Sequence, residues 1–458
     1  MKRILGITAE YDPFHRGHAY QISRARELAD PEAVICAMSG DFTQRGEPAI
    51  LDKWARASIA ARQGVDLVME LPFMYACSRA DRFAAGAVDM LVSAGVTHIS
   101  FGCEAERPED LQKLAIAQLS EAEQVEERIR DLMRDGCSRA KALELASRSL
   151  FGDALTDLML APNNILALEY LKRIRQWESC GVQITPVPIH REGSGYKAAD
   201  SASGFAGGAA IRKMIASGQD VTEYLPYDLR DFDDLCDADH PRDTHGISWN
   251  DLPAARQRLY EQVRGIILRS SPEQLARIYG VGEGMEHRMK KIARVQDSYD
   301  DFLSDMISRR YSAATIQRIM VYLLMNVEEM PDMAVGAAPS RVSSAAQSGV
   351  SGAAPDTVMN IPPYGRVLAA SEVGRKLLRQ IVDAAEDESA DDRLTADGRR
   401  TVPPLNVIAN SNRTEHLQPT QLESLQLDLR AADLYNLILG RDVDACSDAR
   451  QRPWMGRK

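Results

Sequence analysis

Along the first hundred residues, short apolar runs alternate with amphipathic segments, and each run ends in a polar or glycine-containing turn. The apolar run from Ile4, Ala33 to Met38, Asp66 to Pro72 and His98 to Glu104 read as strands, with Val182 to Pro188 as a fifth. Ala19 to Leu28, Asp52 to Arg62 and Phe83 to Val92 read as helices between them. Strands alternating with helices imply βαβ units and hence an α/β domain with a parallel, Rossmann-like sheet. Residues 105–160 are helical and charged, a supporting insertion, and Pro162-Asn163-Asn164 opens a further helix. From about residue 220 the strand pattern stops and helical periodicity runs to Met325. Residues 334–357 are rich in Ala, Ser, Gly and Pro, a flexible linker or insertion. Order resumes over 361–381, an acidic loop covers 383–392, and Leu422 to Leu439 is helical. The division is therefore 1–220, 221–333, 334–357 and 358–458, with a mainly helical carboxy-terminal region.

The first strand ends in Ile7-Thr8-Ala9-Glu10-Tyr11-Asp12-Pro13-Phe14-His15-Arg16-Gly17-His18-Ala19-Tyr20. A sharp turn leads from the strand into a helix start bracketed by two histidines. The N–H groups and dipole of a helix end attract anions. Gly17 lets a nucleotide approach the backbone. His15 and His18 are placed to donate to phosphate oxygens, the positioning and charge neutralisation that phosphoryl chemistry asks of a protein. No G-x-G-x-x-G follows the strand, which excludes the usual dinucleotide dehydrogenase fingerprint.

Charge narrows the partners. The net charge is −11, so an RNA footprint has to be a local basic patch. Between Arg277 and Arg318, eight Lys/Arg face six acids. Seven cysteines are scattered with no Cys-x-x-Cys, which speaks against a disulfide scaffold or structural zinc and for a reducing compartment. Neither a secretory segment nor a run of ~18 apolar residues occurs, so the expectation is a soluble, cytoplasmic protein without a membrane partner.

The stretch from Glu10 to His18 resembles the H-x-G-H signature of the nucleotidyltransferase superfamily. The longer string resembles the E-Y-N-P-F-H-x-G-H of the tRNA(Met) cytidine acetate ligases, with Asp12 where that pattern has Asn. Further segments resemble the same family in the same order: Met38-Ser39-Gly40 to Pro48, Lys53-Trp54-Ala55-Arg56, Gly64-Val65-Asp66-Leu67-Val68 to Pro72, and Phe101-Gly102-Cys103-Glu104. The resemblance implies a nucleotidyltransferase fold and ATP-dependent acetylation of the wobble cytidine of elongator tRNA(Met) to N4-acetylcytidine. Acetate attacks the α-phosphorus of ATP to give acetyl-adenylate, and cytidine then takes the acetyl group.

By that resemblance His15 and His18 are catalytic. Residues 7–20 with Gly102, Asn163, Asn164 and Arg191 bind ATP, which brings Mg²⁺ on its phosphates rather than in a protein cage. Asp41, Gln44, Arg45, Asp52 and Lys53 are candidates for the acetate or cytidine side. Glu283 to Lys291 and Ser308 to Ser312 resemble the family's tRNA-holding helical module, which makes Arg288, Lys290, Lys291, Arg309, Arg310 and Arg318 candidate phosphate contacts, with Tyr311 free to stack. Two departures stand out: Gly207 lies where a capping hydroxyl is expected before Arg212, and Thr315 replaces an expected Arg. Two other readings share the amino-terminal motif, an adenylyltransferase acting on a small phosphorylated cofactor precursor and a non-catalytic RNA-binding protein. The residues do not select acetate, the tRNA or an oligomeric state.

Overall fold

A computed structural model describes residues 2–191, 205–228, 231, 249–282, 284–330, 364–386, 402, 405–409, 414 and 417–456. The expected linker at 334–357 and most of the acidic loop at 383–392 lie outside the described residues; 383–386 end a helix.

The amino-terminal half alternates as the periodicity predicts: β1 (Ile4–Ala9), α1 (Arg16–Ala29), β2 (Ala33–Ser39), α2 (Lys53–Arg62), β3 (Leu67–Leu71), α3 (Phe73–Ala76), α4 (Ala80–Ser93) and β4 (His98–Cys103). Then come α5 (Pro108–Ser120), α6 (Ala122–Arg134), α7 (Arg139–Phe151), α8 (Asp153–Asp157), α9 (Pro162–Ser179), β5 (Thr185–His190) and α10 (Gly208–Ala216). Helices α11 (Leu252–Arg269), α12 (Pro272–Leu275), α13 (Met285–Val295), α14 (Tyr299–Met306) and α15 (Ala313–Met325) form the helical region. β6 (Gly365–Ala370), α16 (Glu372–Glu386), β7 (Val407–Ile408) and α17 (Pro419–Leu439) complete the described chain.

The sheet order is β5-β4-β1-β2-β3-β6-β7. β5, β4, β1, β2 and β3 run parallel, as expected, and β6 adds antiparallel to β3. The stretch from 358 on, expected as a small region apart, thus extends the amino-terminal sheet. β2 shows why the sheet is buried on both faces. Ala33, Ile35 and Ala37 enter the core with α4 and α9, whereas Val34, Cys36 and Met38 enter the core with α1 and α2. That alternation follows from the two-residue period of a strand, and each large apolar side chain so buried contributes about 1.5–3 kcal/mol. β1 connects through α1 to β2 on one side, while β4 pairs on the other, so the chain reverses direction between β1 and β4. Ligands bind in parallel sheets at such a switch point, outside the carboxyl ends of the strands.

One buried ion pair fixes the element that approaches this point. Arg173 on α9 grips Asp89 on α4 with two bonds of 2.7 and 2.6 Å, and Trp177 Nε1 adds a third at 2.8 Å. The amino end of α9, carrying Asn163 and Asn164, is thereby held beside β4.

Candidate active site

A cleft opens at the switch point. His15, Gly17, His18, Tyr20 and Gln21 line it from the β1–α1 turn, Gly102 from β4, Ile189 to Arg191 from β5, and Phe205 to Gly207 from the approach to α10. The turn that delivers the histidines is held locally. His15 is the N-cap of α1; its Nδ1 accepts the Gly17 N–H at 3.1 Å, and His18 Nδ1 accepts the His15 N–H at 3.2 Å. The two rings stack at 3.7 Å, and Tyr11 and Phe14 pack against the His18 ring at 5.0 and 5.5 Å. Tyr11 holds a left-handed backbone, φ 49°, to make this bed, a conformation uncommon outside glycine.

This geometry decides the chemistry of both imidazoles. Each Nδ1 is an acceptor, so a neutral ring carries its hydrogen on Nε2 and offers it as a donor. Burial first, then the Arg191 and Arg212 charges, lowers His15 from 6.5 to about 3. His18 is pushed well below its ordinary value by burial, His15 and Arg191. The cleft therefore presents two neutral N–H donors. Gly17 serves this arrangement: a Cβ there would lie 2.9 Å from His15 Cε1. The N–H groups of Gly17 and His18 are likewise spent on His15, so the α1 end offers imidazoles more than backbone donors.

Across the cleft stands Arg191. Its Nη1 donates to Asn163 Oδ1 at 3.1 Å, and Asn163 Nδ2 donates to Glu104, a chain that aims the guanidinium. Gly102 clears room for its stem, since a Cβ would meet Arg191 Cγ and Cδ at 3.3 Å. Asn164 is buried and consumed by the backbone: Oδ1 accepts the Glu104 N–H at 2.7 Å, and Nδ2 donates to Leu158 O at 3.0 Å. Of the two asparagines, only Asn163 thus adjoins the cleft cation. At α10 the N-cap is Gly207, and among the described residues no side chain caps it, which leaves first-turn N–H groups for an anion.

Asp12 does not line the cleft. Its Oδ1 accepts the Ile50 N–H at 2.7 Å, and Arg212 pairs with Oδ2 at 3.2 Å and with its carbonyl. The extra carboxylate is thus matched by Arg212. Ile7, Ala9, Tyr11 and Phe14 are buried in the core beneath the turn, and Pro13 is buried with them; Thr8, Glu10 and Ala19 are half-buried and Arg16 exposed. None of these lines the cleft.

The residues expected on the substrate side divide. Lys53 is fully buried, with its ammonium on Glu70 at 2.8 Å, on Asp448 and on Asp41 at 3.5 Å. Arg366 of β6 joins the same Glu70 and Asp448. Neither Lys53 nor Asp41 reaches the cleft. Asp52 is spent as the N-cap of α2 and toward Arg441. Gln44 sits in the loop between β2 and α2: its N–H donates to Glu10 at 2.6 Å, its Nε2 to Ser78 O at 2.8 Å, and its carbonyl accepts from Arg318 at 3.1 Å. Arg45 beside it is exposed. Glu47 pins the loop to the helical region through Arg256 at 2.5 Å and Gln317 at 3.0 Å.

The expected RNA cations divide likewise. Lys290 donates to the last carbonyls of α11, Arg288 to Asp305 and Ile307 carbonyls, Arg310 to Met133 O, and Arg318 is buried. Lys291 and Arg309 are exposed. Tyr311 is half-buried with its OH toward Gly282 O at 3.4 Å. Sequence reasoning missed His190, Gln21 and Phe205. His190 was legible as the last residue of a parallel strand; Gln21 and Phe205 carried no signal of their own.

Among the described residues no helix is long and apolar enough to cross a membrane. Residues 1–449 match the model of the HIGH nucleotidyl transferase family. The chain is 33% identical to the tRNA(Met) cytidine acetate ligase of Syntrophotalea carbinolica, covering 95% of this chain and 94% of that one. It is 30% identical to the tRNA(Met) cytidine acetate ligase of Acetivibrio thermocellus, covering 94% of each. The crystal structure of Thermotoga maritima TmcAL bound with alpha-thio ATP superposes over 100% of both chains, at 26% identity and a TM-score of 0.75. The sheet, the paired histidines on its first turn and these likenesses together make the chain a member of the tRNA(Met) cytidine acetate ligase family, within the HIGH nucleotidyl transferases.

Proposed function

We propose that this protein uses ATP and acetate to acetylate N4 of the wobble cytidine in elongator tRNA(Met), through an acetyl-adenylate. In the first step an acetate oxygen attacks the α-phosphorus and pyrophosphate leaves. The observation that carries this reading is the neutral histidine pair, whose Nε2–H donors share one cleft with Arg191 and the uncapped end of α10. Neutral donors hold phosphate oxygens without a proton to transfer, so they stabilise charge as it develops on the α-phosphoryl and leaving groups. Arg191 supplies the fixed positive charge opposite. Mg²⁺ would ride on the triphosphate: no carboxylate lines the cleft among the described residues, and oxygen-rich phosphate is its ordinary partner. In the second step the cytidine amine attacks the acetyl carbonyl and AMP leaves. Exposed Lys291 and Arg309 remain candidates for tRNA phosphate, and a tRNA substrate implies work in the cytoplasm.

The test is ATP–pyrophosphate exchange with labelled acetate, followed by addition of bulk tRNA and nucleoside analysis. Acetate-dependent exchange and label arriving as N4-acetylcytidine are expected. Exchange that is independent of acetate, or label that never enters RNA, would overturn the reading.

A further inference from the structure

We infer that His190 selects adenine in the nucleotide, its Nε2 accepting a hydrogen bond from the N6 amine; this deepens the ATP reading above and rests on it. His190 lines the cleft and is exposed. It is the last residue of β5, paired with Cys103 of β4, so the ladder fixes its backbone. Its Nδ1 lies 3.2 Å from the carbonyl oxygen of Ala105. A carbonyl only accepts, so Nδ1 carries the hydrogen, and the neutral ring keeps Nε2 as an acceptor. Among the described residues no hydrogen bond or ion pair engages that Nε2.

This is the reverse of the histidine pair on the first turn. His15 and His18 accept through Nδ1 and present Nε2–H, which suits phosphate oxygens. His190 donates through Nδ1 and presents a lone pair, which suits an N–H donor. The cleft thus has donors at β1 and an acceptor at β5. β4 separates the two in the order β5-β4-β1, a span of about 10 Å at ordinary strand spacing. A nucleotide whose α-phosphate rests on the first turn covers that span and brings its base to β5. Apolar surface for a purine face is at hand: Ile189 lines the cleft from β5, and the rings of Tyr20 and Phe205, 5.8 Å apart, line it from α1 and the approach to α10.

The neighbouring side chains do not replace His190. Arg191 only donates. Gln21 is tied through Nε2 to Ser100 Oγ at 3.4 Å, on β4 and short of the β5 end. Adenine presents the N6 donor where guanine presents the O6 acceptor. An accepting Nε2 therefore pairs with adenine and opposes a 6-oxopurine, so that one polar group sets the preference.

The test is equilibrium binding of three nucleotides to the full chain, without acetate or tRNA. They are ATP, purine riboside triphosphate, which lacks the 6-amino group, and ITP, which carries O6. Wild type should bind ATP about three- to tenfold more tightly than the purine riboside analogue, the worth of one hydrogen bond, and ITP more weakly still. In His190→Ala the ratio of ATP to analogue affinity should fall to near one. A ratio that survives in His190→Ala would overturn the inference, and so would a wild type that binds ATP and the analogue alike. Should His190→Ala fail to fold, His190→Leu, closer in volume and without an acceptor, carries the same test with the same outcomes. A protein with this preference but no acetate-dependent pyrophosphate exchange would refute the two-step reading and still support the inference. A protein that binds no ATP would sink both.

Discussion

The histidine cleft and the charge cluster around Lys53 are both gatherings of polar and charged side chains beside one sheet. They differ in what their polar atoms have left to give. In the cleft each imidazole is pinned through one nitrogen and presents the other, and Asn163 steadies Arg191. Around Lys53 two cations and the carboxylates of Asp41, Glu70 and Asp448 consume one another in full burial. The first arrangement is chemistry held ready; the second ties β6 and the carboxy-terminal stretch onto β3 and α2.

The comparison breaks most sharply at Lys53. Lys53→Met keeps the volume but strands buried carboxylates, which costs about 3–5 kcal/mol when one partner of a buried pair is removed. Urea unfolding should reveal that loss, while the folded fraction binds ATP as wild type does. A variant of normal stability with failed adenylate formation would return Lys53 to the active site.

His18→Ala should behave in the opposite way. Removing one preorganised donor costs about 10²–10³ in rate, whereas the lost contact to the His15 N–H costs only about 1 kcal/mol of stability. Pyrophosphate exchange should collapse with melting nearly unchanged. Wild-type exchange in this variant would remove the histidines from the mechanism.

The sequence made one of these regions legible and misled about the other, for a physical reason. The His15–His18 motif is local: cap, ring contact and glycine fall within four residues, so spacing alone exposes it. Lys53 is defined by partners at 41, 70 and 448, with Arg366 sharing two of them, and no local pattern reports that they converge. β6 was opaque for the same reason. Residues 365–370 show an apolar run, but nothing in it names β3, some three hundred positions earlier, as its neighbour. The role of Asp12 depends on Arg212 and Ile50, 200 and 38 positions away, which no local pattern reports.

A titration sharpens the contrast further. His15 is neutral in the fold and titrates at about 3, against 6.5 when unfolded. Between those values the unfolded chain binds the extra proton, so stability falls as pH drops below 6.5 and is unaffected by this group above it. The melting temperature of wild type should fall more between pH 7.5 and pH 5 than that of His15→Gln. Parallel falls would mean that His15 is charged in the folded protein.

The smallest effect concerns the basic helices, where the same distinction between spent and available groups divides one set of cations. Arg288, Lys290, Arg310 and Arg318 hold backbone carbonyls, whereas Lys291 and Arg309 face solvent. A phosphate contact releases counterions, so each one removed lowers the salt slope of binding by about one. Lys291→Ala with Arg309→Ala should therefore weaken tRNA binding severalfold at low salt, flatten its salt dependence by about two and leave pyrophosphate exchange untouched. Arg288→Ala should instead loosen α13 against the end of α14, lowering stability by about 1 kcal/mol with the salt slope preserved. If the slope falls in Arg288→Ala and not in the double variant, the tRNA lies on groups that the fold itself keeps occupied, and docking has to rearrange these helices.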